Sequence, residues 1–574
     1  MVNSTVTDPQ SLWDQFRDYF TDDCSHRISA LGNTLNPAPE DWTMYQVRYD
    51  FGLWLFGENL RDLGLDWSSV SISGPVHNWQ VREVTRNPLL LDALDINIEE
   101  ERRQFMDAKA SFSTGQVSAF DLITSTIDNR RRRNSFFLQG PAGTGKTFLY
   151  KTLCNYYRSL GKIVLCAASS GIASLLLTNG RTSHSLFKIP INSNEDSQCR
   201  VSGNSDLANL LRKTHLIIWD EVTLQNKYDF EAVNKLFKEL MVNNDLFGGV
   251  PVVLGGDFAQ ILPVVRRGSR EQVVNACIQY WSKWDLIQPL FLTQNMRVIE
   301  GVANQRFAKW LSDLPYNSNL YGAIEVPEWI TSTDNTDDFR EFVYPRNQLL
   351  SGDTRIFTCR AILSPRNDTV HSTNEEILKL RNAEAHDYFA RDQVTNDEAG
   401  HISDYTSEFL MTLSGQGLPL GRLRLQVGMP VMLLRNLYPK KGLCNGTRLI
   451  ITRLFHHGVE GRIISPDSRY NGELHYIHRM PVTTNEDLPF TLTRTQLPLR
   501  PCFAMTINKS QGQTLQRVGV DLSTPVFSHG QFYVALSRVT DVKNLIILLP
   551  RGIKKLLILF IQRFYYDPRN LIIL

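Results

Sequence analysis

The sequence predicts an α/β protein with two parallel-sheet domains, and three observations lead to this fold class. Short apolar runs alternate with helical patterns from about residue 116 to residue 263, and the alternation starts again near residue 290. Strands buried on both faces read as continuous apolar runs, so this pattern favours parallel sheets covered by helices. From about residue 422 to residue 495, short strands with Gly and Pro punctuation predict a small β-barrel inserted in the second domain.

A glycine-rich loop follows the apolar run Phe136–Leu138 and precedes a predicted helix. Its spacing, Gly140-x-x-x-x-Gly145-Lys146-Thr147, is the pattern of a phosphate-binding loop. Glycines let successive N–H groups point at a phosphate, and the helix N-terminus attracts the same anion. Lys146 adds charge for the outer phosphates, and the Thr147 hydroxyl is suited to Mg²⁺. The predicted cofactor-binding residues of this loop are Gly140, Pro141, Ala142, Gly143, Thr144, Gly145, Lys146 and Thr147.

Two acids follow the apolar run Leu216–Trp219. In a phosphate-loop protein the first acid, Asp220, holds Mg²⁺ together with Thr147, and the second, Glu221, polarises the attacking water. Another predicted strand, Val252–Leu254, leads to Gln260. That amide is able to sense a γ-phosphate, although alone it would equally suit a turn.

Composition limits the remaining function classes. The 574-residue chain is 42% hydrophobic and 21% charged, and its net charge is +2, so a nucleic-acid surface is expected to be a local groove. Eight scattered cysteines, with no Cys-x-x-Cys pair, indicate neither a zinc ribbon nor a disulfide framework.

We expect no signal peptide and no membrane partner, because no apolar run is long enough to span a bilayer. The run Arg130–Arg133 is either a nuclear address or, as we favour, a solvated loop before a strand.

Smaller patterns locate the remaining elements. Trp13, Phe16 and Phe20 recur at helical spacing, and core packing is favoured over a partner-binding face. Arg355–Thr358 is predicted to be a strand and Asn367–Leu380 a helix. The predicted domains are residues 1–100, a mainly helical N-terminal region; 101–285, the first parallel-sheet domain; 286–421 and 496–550, the second; 422–495, the inserted barrel; and 551–574, an atypical apolar tail.

An ordered set of motifs resembles DNA helicases of superfamily 1, of the Pif (petite integration frequency) type. The helicase module of eukaryotic Helitron transposons is especially similar. The matching stretches are Gly140–Thr147, Ala168–Ala173, Gly180–Phe187, Leu216–Glu221, Gly255–Val264, Leu292–Arg297, Thr506–Thr514 and Tyr533–Arg538. Each is moderately specific, and their order along the chain makes the set very specific.

The resemblance implies two RecA-like domains with ATP and Mg²⁺ between them, and an SH3-like inserted barrel. It implies that Gln116 touches adenine and that Arg297 and Arg538 are arginine fingers beside the catalytic Lys146 and Glu221. The residues that it implies for nucleic-acid binding are Ser170, His184, Lys509, Ser510 and Gln511. His184 alone would suggest a core histidine, but its neighbours favour the DNA role.

The resemblance also implies an activity, partners and a location. The expected activity is 5′-to-3′ translocation on single-stranded DNA and unwinding of forked or 5′-tailed duplexes, in DNA repair, recombination, telomere maintenance or transposon replication. The nucleus is expected, with the mitochondrion as the alternative. Helitron proteins also carry a nuclease with a His-hydrophobe-His triplet, which this sequence lacks, so we expect no DNA nicking.

Two other functions compete with this interpretation. One is a catalytically inactive, DNA-binding remnant of a Helitron element, which the retained residues from Lys146 to Arg538 argue against. The other is a phosphate-loop switch or signalling ATPase. Such a switch does not need the stretches Gly180–Phe187 and Thr506–Thr514.

Overall fold

The computed structural model divides the chain into two compact units. The smaller contains the described residues of Met1–Ile98, Gly161–Ile163 and Ser202–Lys213, and the larger contains the rest. The structure describes residues 8–31, 35–62, 67–79, 87–265, 267–296, 301–317, 322–381, 383–395, 405–413, 415, 417–465, 469–484, 488, 490–552 and 555–558. None of the helices within these ranges has the length and apolar character needed to cross a membrane.

The smaller unit is mainly helical, as predicted for the N-terminal region. Its described helices are α1 (Pro9–Phe20), α2 (Cys24–Leu31), α3 (Met44–Asp62), α4 (Trp67–Val70), α5 (Pro88–Leu94) and, later in the chain, α11 (Asp206–Arg212). Phe51 and Trp79 form its core, and the buried Asp50 carboxylate accepts a 2.8 Å hydrogen bond from Trp79 Nε1. Trp13 is buried as expected, whereas Phe20 is half exposed.

The first parallel sheet follows the predicted alternation. Its strands are β1 (Ser135–Gln139), β2 (Ile163–Ala168), β3 (Arg181–Thr182), β4 (Thr214–Asp220), β5 (Val252–Gly256) and β6 (Gln288–Phe291), in the order β3-β2-β4-β5-β1-β6. The helices of this region are α6 (Ile98–Ala110), α7 (Thr114–Asp128), α8 (Lys146–Ser159), α9 (Gly171–Leu175), α10 (Ser183–Phe187), α12 (Lys227–Met241) and α13 (Arg270–Ala276). The parallel strands β1, β4 and β5 end at one edge of the sheet, where the functional side chains collect.

The second parallel sheet confirms a second α/β domain. Its strands are β8 (Thr331–Thr333), β9 (Arg360–Ser364), β20 (Ala504–Thr506), β21 (Arg517–Asp521) and β22 (Leu545–Leu548), in the order β20-β9-β21-β22-β8. Its helices are α14 (Val302–Asp313), α15 (Thr336–Val343), α16 (Arg346–Leu350), α17 (Ile356–Cys359), α18 (Asn367–Leu380) and α20 (Gln531–Leu536). Separately, β7 (Gly322–Glu325) pairs with β23 (Lys555–Ile558) from the tail.

The strand predicted at Arg355–Thr358 is wrong. Those residues lead into the short helix α17, and the strand begins at Arg360. The backbone N–H and the guanidinium of Arg355 donate hydrogen bonds to the Asp353 carboxylate, and this contact begins a helical turn. Phe357, in the same turn, packs on Phe503. A short apolar run does not by itself distinguish a buried helix turn from a buried strand.

An antiparallel region is inserted in the second domain. Its elements are β10 (Ala385–Phe389), β11 (Arg391–Thr395), α19 (Ser407–Thr412), β12 (Arg422–Gln426), β13 (Pro430–Leu433), β14 (Arg448–Leu454), β15 (Gly458–Ile464), β16 (Leu474–His478), β17 (Met480–Thr484), β18 (Thr491–Gln496) and β19 (Leu499–Pro501). They form sheets ordered β16-β15-β14-β13-β19, β11-β18-β17 and β10-β12. Antiparallel pairing begins at Ala385, upstream of the expected start at Arg422. The predicted domain limits stay a prediction.

A buried ion pair fixes part of this inserted region. Arg494 is fully buried and makes two 2.8 Å hydrogen bonds to the Asp392 carboxylate. The same guanidinium donates to the carbonyl oxygens of Leu410, Leu413 and Pro419. A buried charge is tolerated when it is paired and hydrogen-bonded in this way, so Arg494 joins the segment around α19 to the sheet.

Candidate nucleotide site and nucleic-acid cleft

The phosphate-loop segment, residues 140–147, joins the end of β1 to the start of α8. Gly143 and Gly145 have φ values of 91° and 83°, which favour glycine. A Cβ on Gly145 would lie 2.3 Å from Gln116 Nε2, and a Cβ on Gly143 would lie 2.6 Å from Asn295 Oδ1. Larger residues at these two positions would therefore strain the backbone and collide with neighbours.

Internal hydrogen bonds hold the shape of this segment. Lys146 Nζ donates to the Gly140 carbonyl oxygen. Thr144 Oγ1 donates to the Pro141 carbonyl oxygen at 2.9 Å. The segment therefore has the glycine turns, the lysine and the helix N-terminus of a phosphate-binding loop.

Gln116 supports the phosphate-loop segment from the side of α7. It is 1% exposed, and its side chain and that of Ser113 form a reciprocal cap at the start of this helix. Its Nε2 donates to the carbonyl oxygens of Thr144 at 3.4 Å and Gly145 at 3.5 Å. The structure thus brings Gln116 to the loop, and its contact with adenine stays a prediction.

The residues just before Arg297 also lie against the phosphate-loop segment. Met296 N donates to the Gly143 carbonyl oxygen at 2.8 Å, and Asn295 Nδ2 to that of Ala142 at 3.5 Å. Arg297 itself lies outside the described residues, and its role stays a prediction.

The predicted acidic pair stands at the edge where β4 ends. Asp220 is 5% exposed and Glu221 is 8% exposed. Asp220 Oδ1 and Glu221 Oε2 have no hydrogen-bond partner. Because a buried carboxylate oxygen without a partner is costly, this pair is suited to bind a cation or an ordered water.

Glu221 has a strained backbone and an altered acidity. Its φ of 54° is in the left-handed region, which is unusual for a residue other than glycine and is concentrated at functional sites. Burial, and then the charge of Asp220, raise the pKa of Glu221 to about 7, while the charges of Lys146 and Arg538 act in the opposite direction. Burial also raises the pKa of Asp220, and the Lys146 charge opposes that shift.

The donor set fits a nucleotide-bound Mg²⁺ rather than an all-protein metal centre. Within the described part of the chain, no group of three or more His, Cys, Asp and Glu side chains is arranged to hold a metal. Mg²⁺ bound with a nucleotide keeps several waters and uses phosphate oxygens with one or two protein ligands. Asp220, with its unpartnered Oδ1, and the partly exposed Thr147 supply such ligands.

Gln260 connects the two parallel-sheet domains. It is 2% exposed, and its Nε2 donates to Asp257 Oδ2 at 3.2 Å. Its Oε1 accepts a 3.4 Å hydrogen bond from Gln511 Nε2 of the second domain. Sequence reasoning missed Asp257, although an acid directly after an apolar strand was the signal used for Asp220.

Arg538 is anchored in the second domain directly after α20. It is 4% exposed, and its Nε donates to the Val534 carbonyl oxygen at 2.9 Å. Its Nη1 donates to the carbonyl oxygens of Gln513 at 3.1 Å and Ser510 at 3.4 Å. Since its charge acts on the Glu221 carboxyl, the guanidinium belongs to the same site as the acidic pair.

A polar cleft of about 330 Å³ lies between residues of both parallel-sheet domains and of the inserted region. Ser170, His184, Lys509 and Gln511 line this cleft. His184 has a 37% exposed side chain, so it is not a core histidine. Ser510 is not brought to the cleft, because it is fully buried and its Oγ donates to the Ile507 carbonyl oxygen at 2.7 Å.

The cleft also contains residues that sequence reasoning missed. Asn436 and Asn445 of the inserted region line it, and Lys509 Nζ donates to Asn445 Oδ1 at 2.9 Å. Burial, reinforced by the Arg500 charge, lowers the pKa of Lys509. From sequence alone, the dipeptide Asn445-Gly446 is a turn signal, and nothing local relates it to a motif of the first domain.

Comparison with known proteins agrees with this geometry. Residues 111–316 match the family model described as PIF1-like helicase, and residues 408–454 match that of the DNA helicase Pif1 2B domain. The chain is 27% identical to the ATP-dependent DNA helicase RRM3 of Saccharomyces cerevisiae over 76% of this chain and 66% of that protein. It is 30% identical to the ATP-dependent DNA helicase PIF1 of Danio rerio, over 72% of this chain and 58% of that protein.

The fold is also found in a solved structure. A Bacteroides Pif1 bound to single-stranded DNA superposes with a TM-score of 0.54 at 23% identity, covering 80% of this chain and 95% of that one. The chain therefore has the fold of that protein, while it spans less than two thirds of the curated relatives named above. The comparisons do not test the Helitron likeness, which stays a prediction. The family matches over residues 111–316 and 408–454, the ordered motifs and the fold together support a helicase of the Pif1 type.

Proposed function

We propose that the chain is an ATP- and Mg²⁺-dependent DNA helicase that moves 5′ to 3′ along single-stranded DNA. One observation carries this proposal: the charge of Arg538, from the second domain, acts on the buried Glu221 carboxyl of the first domain. A site completed by two domains changes when they move, which is what a motor requires. The relatives described as ATP-dependent DNA helicases support the same activity.

The proposed chemistry divides among the residues of the site. Lys146 and the N–H groups of the phosphate-loop segment bind the phosphates, and Thr147 and Asp220 hold Mg²⁺. Bound Mg²⁺ neutralises charge that develops on the phosphates. Glu221 orients the attacking water and accepts its proton, which its raised pKa makes favourable near neutral pH.

The arginines are proposed to act when the domains close. A guanidinium stabilises charge that spreads over the equatorial oxygens of the transferring phosphoryl group. Arg538 is held by carbonyl oxygens of the segment that carries Lys509 and Gln511, so movement of that segment would move the guanidinium. Arg297 is proposed to act as the second arginine finger.

The polar cleft is proposed to bind single-stranded DNA. Its lining combines the Lys509 cation with amide and hydroxyl groups, including those of Asn445 and Ser170. Contacts of this kind bind the backbone without selecting a sequence, as a translocating enzyme needs. Forked and 5′-tailed duplexes are the proposed larger substrates.

Turnover is expected to rise with pH through about 7. Because the pKa of Glu221 is raised to about 7, its carboxyl is protonated below that pH and is unable to accept a proton from water. The measurement is DNA-stimulated kcat from pH 5.5 to pH 9. The Glu221→Gln variant is the control and should lose this inflection; a wild-type profile that is flat across pH 7 would contradict the assignment of Glu221 as the base.

The direction of movement is tested with tailed duplexes. A duplex with a 5′ single-stranded tail should be opened in the presence of ATP and Mg²⁺, and one with only a 3′ tail should remain intact. The measurement is strand separation by fluorescence or gel, with Lys146→Ala as the inactive control. Preference for the 3′ tail would show that the proposed polarity is wrong.

The alternative of a catalytically inactive Helitron remnant is less well supported. Decay of a nucleotide site is expected to remove costly buried charges first, yet Asp220 and Glu221 remain buried beside Lys146 and Arg538. A phosphate-loop switch is also disfavoured, since it has no use for the polar cleft. We propose the nucleus as the location, with the mitochondrion as the alternative, and imaging of a fluorescently tagged chain tests it.

A further inference from the structure

A fully buried carboxylate lies where the two parallel-sheet domains meet. Asp257 is 0% exposed, and each of its oxygens accepts two hydrogen bonds. Oδ1 accepts from Gln139 Nε2 at 3.3 Å and from Ala259 N at 3.0 Å. Oδ2 accepts from Gln260 Nε2 at 3.2 Å and from the Tyr533 hydroxyl at 3.1 Å.

These donors come from three functional parts of the molecule. Gln139 is the last residue of β1 and directly precedes the phosphate-loop segment. Gln260 is the proposed γ-phosphate sensor. Tyr533 is the donor from the second domain, so the Asp257 carboxylate joins the loop, the sensor and α20.

Tyr533 is also linked to Arg538 through the backbone. Ser537 N donates to the Tyr533 carbonyl oxygen at 2.9 Å, and Arg538 Nε donates to that of Val534 at 2.9 Å. The tyrosine and the arginine are therefore fixed to the same short helix. A shift of α20 that moves Tyr533 would therefore move Arg538 with it.

Two neighbouring contacts bring the domains close enough for this hydrogen bond. His529 Nε2 lies 2.8 Å from the Phe258 carbonyl oxygen, and burial lowers the pKa of His529 to about 4, so the neutral ring donates. Gly530 has a φ of 70°, and a Cβ there would lie 2.4 Å from the Ala259 carbonyl oxygen. Only glycine allows this approach without strain.

The Tyr533 hydroxyl is the donor in this contact. Burial, and then the Asp257 charge, raise the pKa of the Tyr533 hydroxyl well above its ordinary value. The hydroxyl thus stays protonated at neutral pH and donates to the carboxylate. Hydrogen bonds to a buried charged group are among the stronger ones, and their geometry is narrow.

We propose that the hydrogen bond from Tyr533 to Asp257 is a positioning contact that sets the approach of Arg538 to the γ-phosphate. Tyr533 touches neither nucleotide nor DNA in this scheme; it acts through α20. The inference rests on the proposed function. It adds the residue pair through which closure of the two domains positions Arg538 at the catalytic site.

Tyr533→Phe is the most selective test, because it removes one oxygen and keeps the ring. We expect DNA-stimulated kcat to fall about tenfold to a hundredfold, the range set by loss of a hydrogen bond to a charged group. The KM for ATP and the Kd for single-stranded DNA should stay close to wild type, while the melting temperature falls because the buried Asp257 carboxylate loses one donor. A fall of kcat with both of these constants unchanged is not expected of a residue that only stabilises the interface.

Tyr157→Phe is the matched control. Tyr157 is also buried and its hydroxyl lies 3.2 Å from Asp128 Oδ1, but both residues belong to the first domain. This variant should match wild type in kcat. An equal fall of kcat in both variants, or an unchanged kcat in Tyr533→Phe, would overturn the inference.

A double-mutant cycle covers the case in which one variant is poorly folded. Asp257→Asn removes the charge at nearly constant size, and the double variant Tyr533→Phe with Asp257→Asn should be no slower than the slower single variant. Independent, multiplying losses in the double variant would overturn the inference.

The failures of the two proposals are distinguishable. If wild-type turnover does not rise with DNA, the proposed motor function fails. The positioning inference is then tested on kcat without DNA, by the same comparison of the Tyr533→Phe and Tyr157→Phe variants with wild type. A chain that hydrolyses no ATP at all would overturn both.

Discussion

Replacing Glu221 by glutamine is expected to lower DNA-stimulated turnover by about 10²–10⁴-fold, the usual contribution of a positioned acid or base. Nucleotide affinity should stay near wild type, because glutamine keeps the size of the side chain and Glu221 acts on water rather than on the ground-state phosphates. The measurement combines kcat with a binding titration of a nonhydrolysable ATP analogue.

Lys146→Ala is the contrasting variant. Lys146 is proposed to touch the phosphates in the ground state and the transition state alike, so its loss should weaken both binding and turnover. Glu221→Gln with turnover near wild type would remove this residue from catalysis. The raised pKa would then only reflect the burial of the acidic pair.

Arg538→Ala is expected to lower DNA-stimulated kcat by about 10³–10⁵-fold, as loss of an arginine finger does. In the proposed mechanism, Arg538 meets charge that develops on the γ-phosphoryl group only as the cleft closes, so nucleotide affinity should change little. The measurements are kcat, nucleotide affinity and single-stranded DNA affinity.

The control for Arg538 addresses its structural contacts. Its guanidinium bonds the carbonyl oxygens of Gln513 and Ser510, so each variant is first checked for the wild-type circular dichroism and melting temperature. Arg538→Lys keeps the charge but loses the planar fork, and should recover only part of the lost turnover. Turnover near wild type in Arg538→Ala would contradict a catalytic part for the second domain.

The elements that sequence reasoning located correctly are those with strong local signals. The buried strands around Phe137 and Ile218 are continuous apolar runs, and the loop after β1 requires glycine for backbone reasons. The acidic pair was found because two charges directly after an apolar strand have no ordinary structural use. These features are local, so one sequence is enough to recognise them.

The features that were missed depend on contacts between distant parts of the chain. The hydrogen bond from Tyr533 to Asp257 joins residues 276 positions apart, and β11 joins a strand about a hundred residues later. Ser510 belongs to a recognised motif, yet its side chain turns inward to cap its own short helix. A motif gives the identity of its residues, whereas the direction of each side chain is decided by packing.

ATP hydrolysis measured with and without single-stranded DNA tests the central proposal most directly. Since the proposed nucleotide site combines residues of two domains that also line the polar cleft, DNA binding should favour closure and raise turnover. We predict strong stimulation by single-stranded DNA and little by blunt duplex of equal nucleotide concentration. Equal turnover with and without single-stranded DNA would contradict the proposal that this chain is a DNA motor.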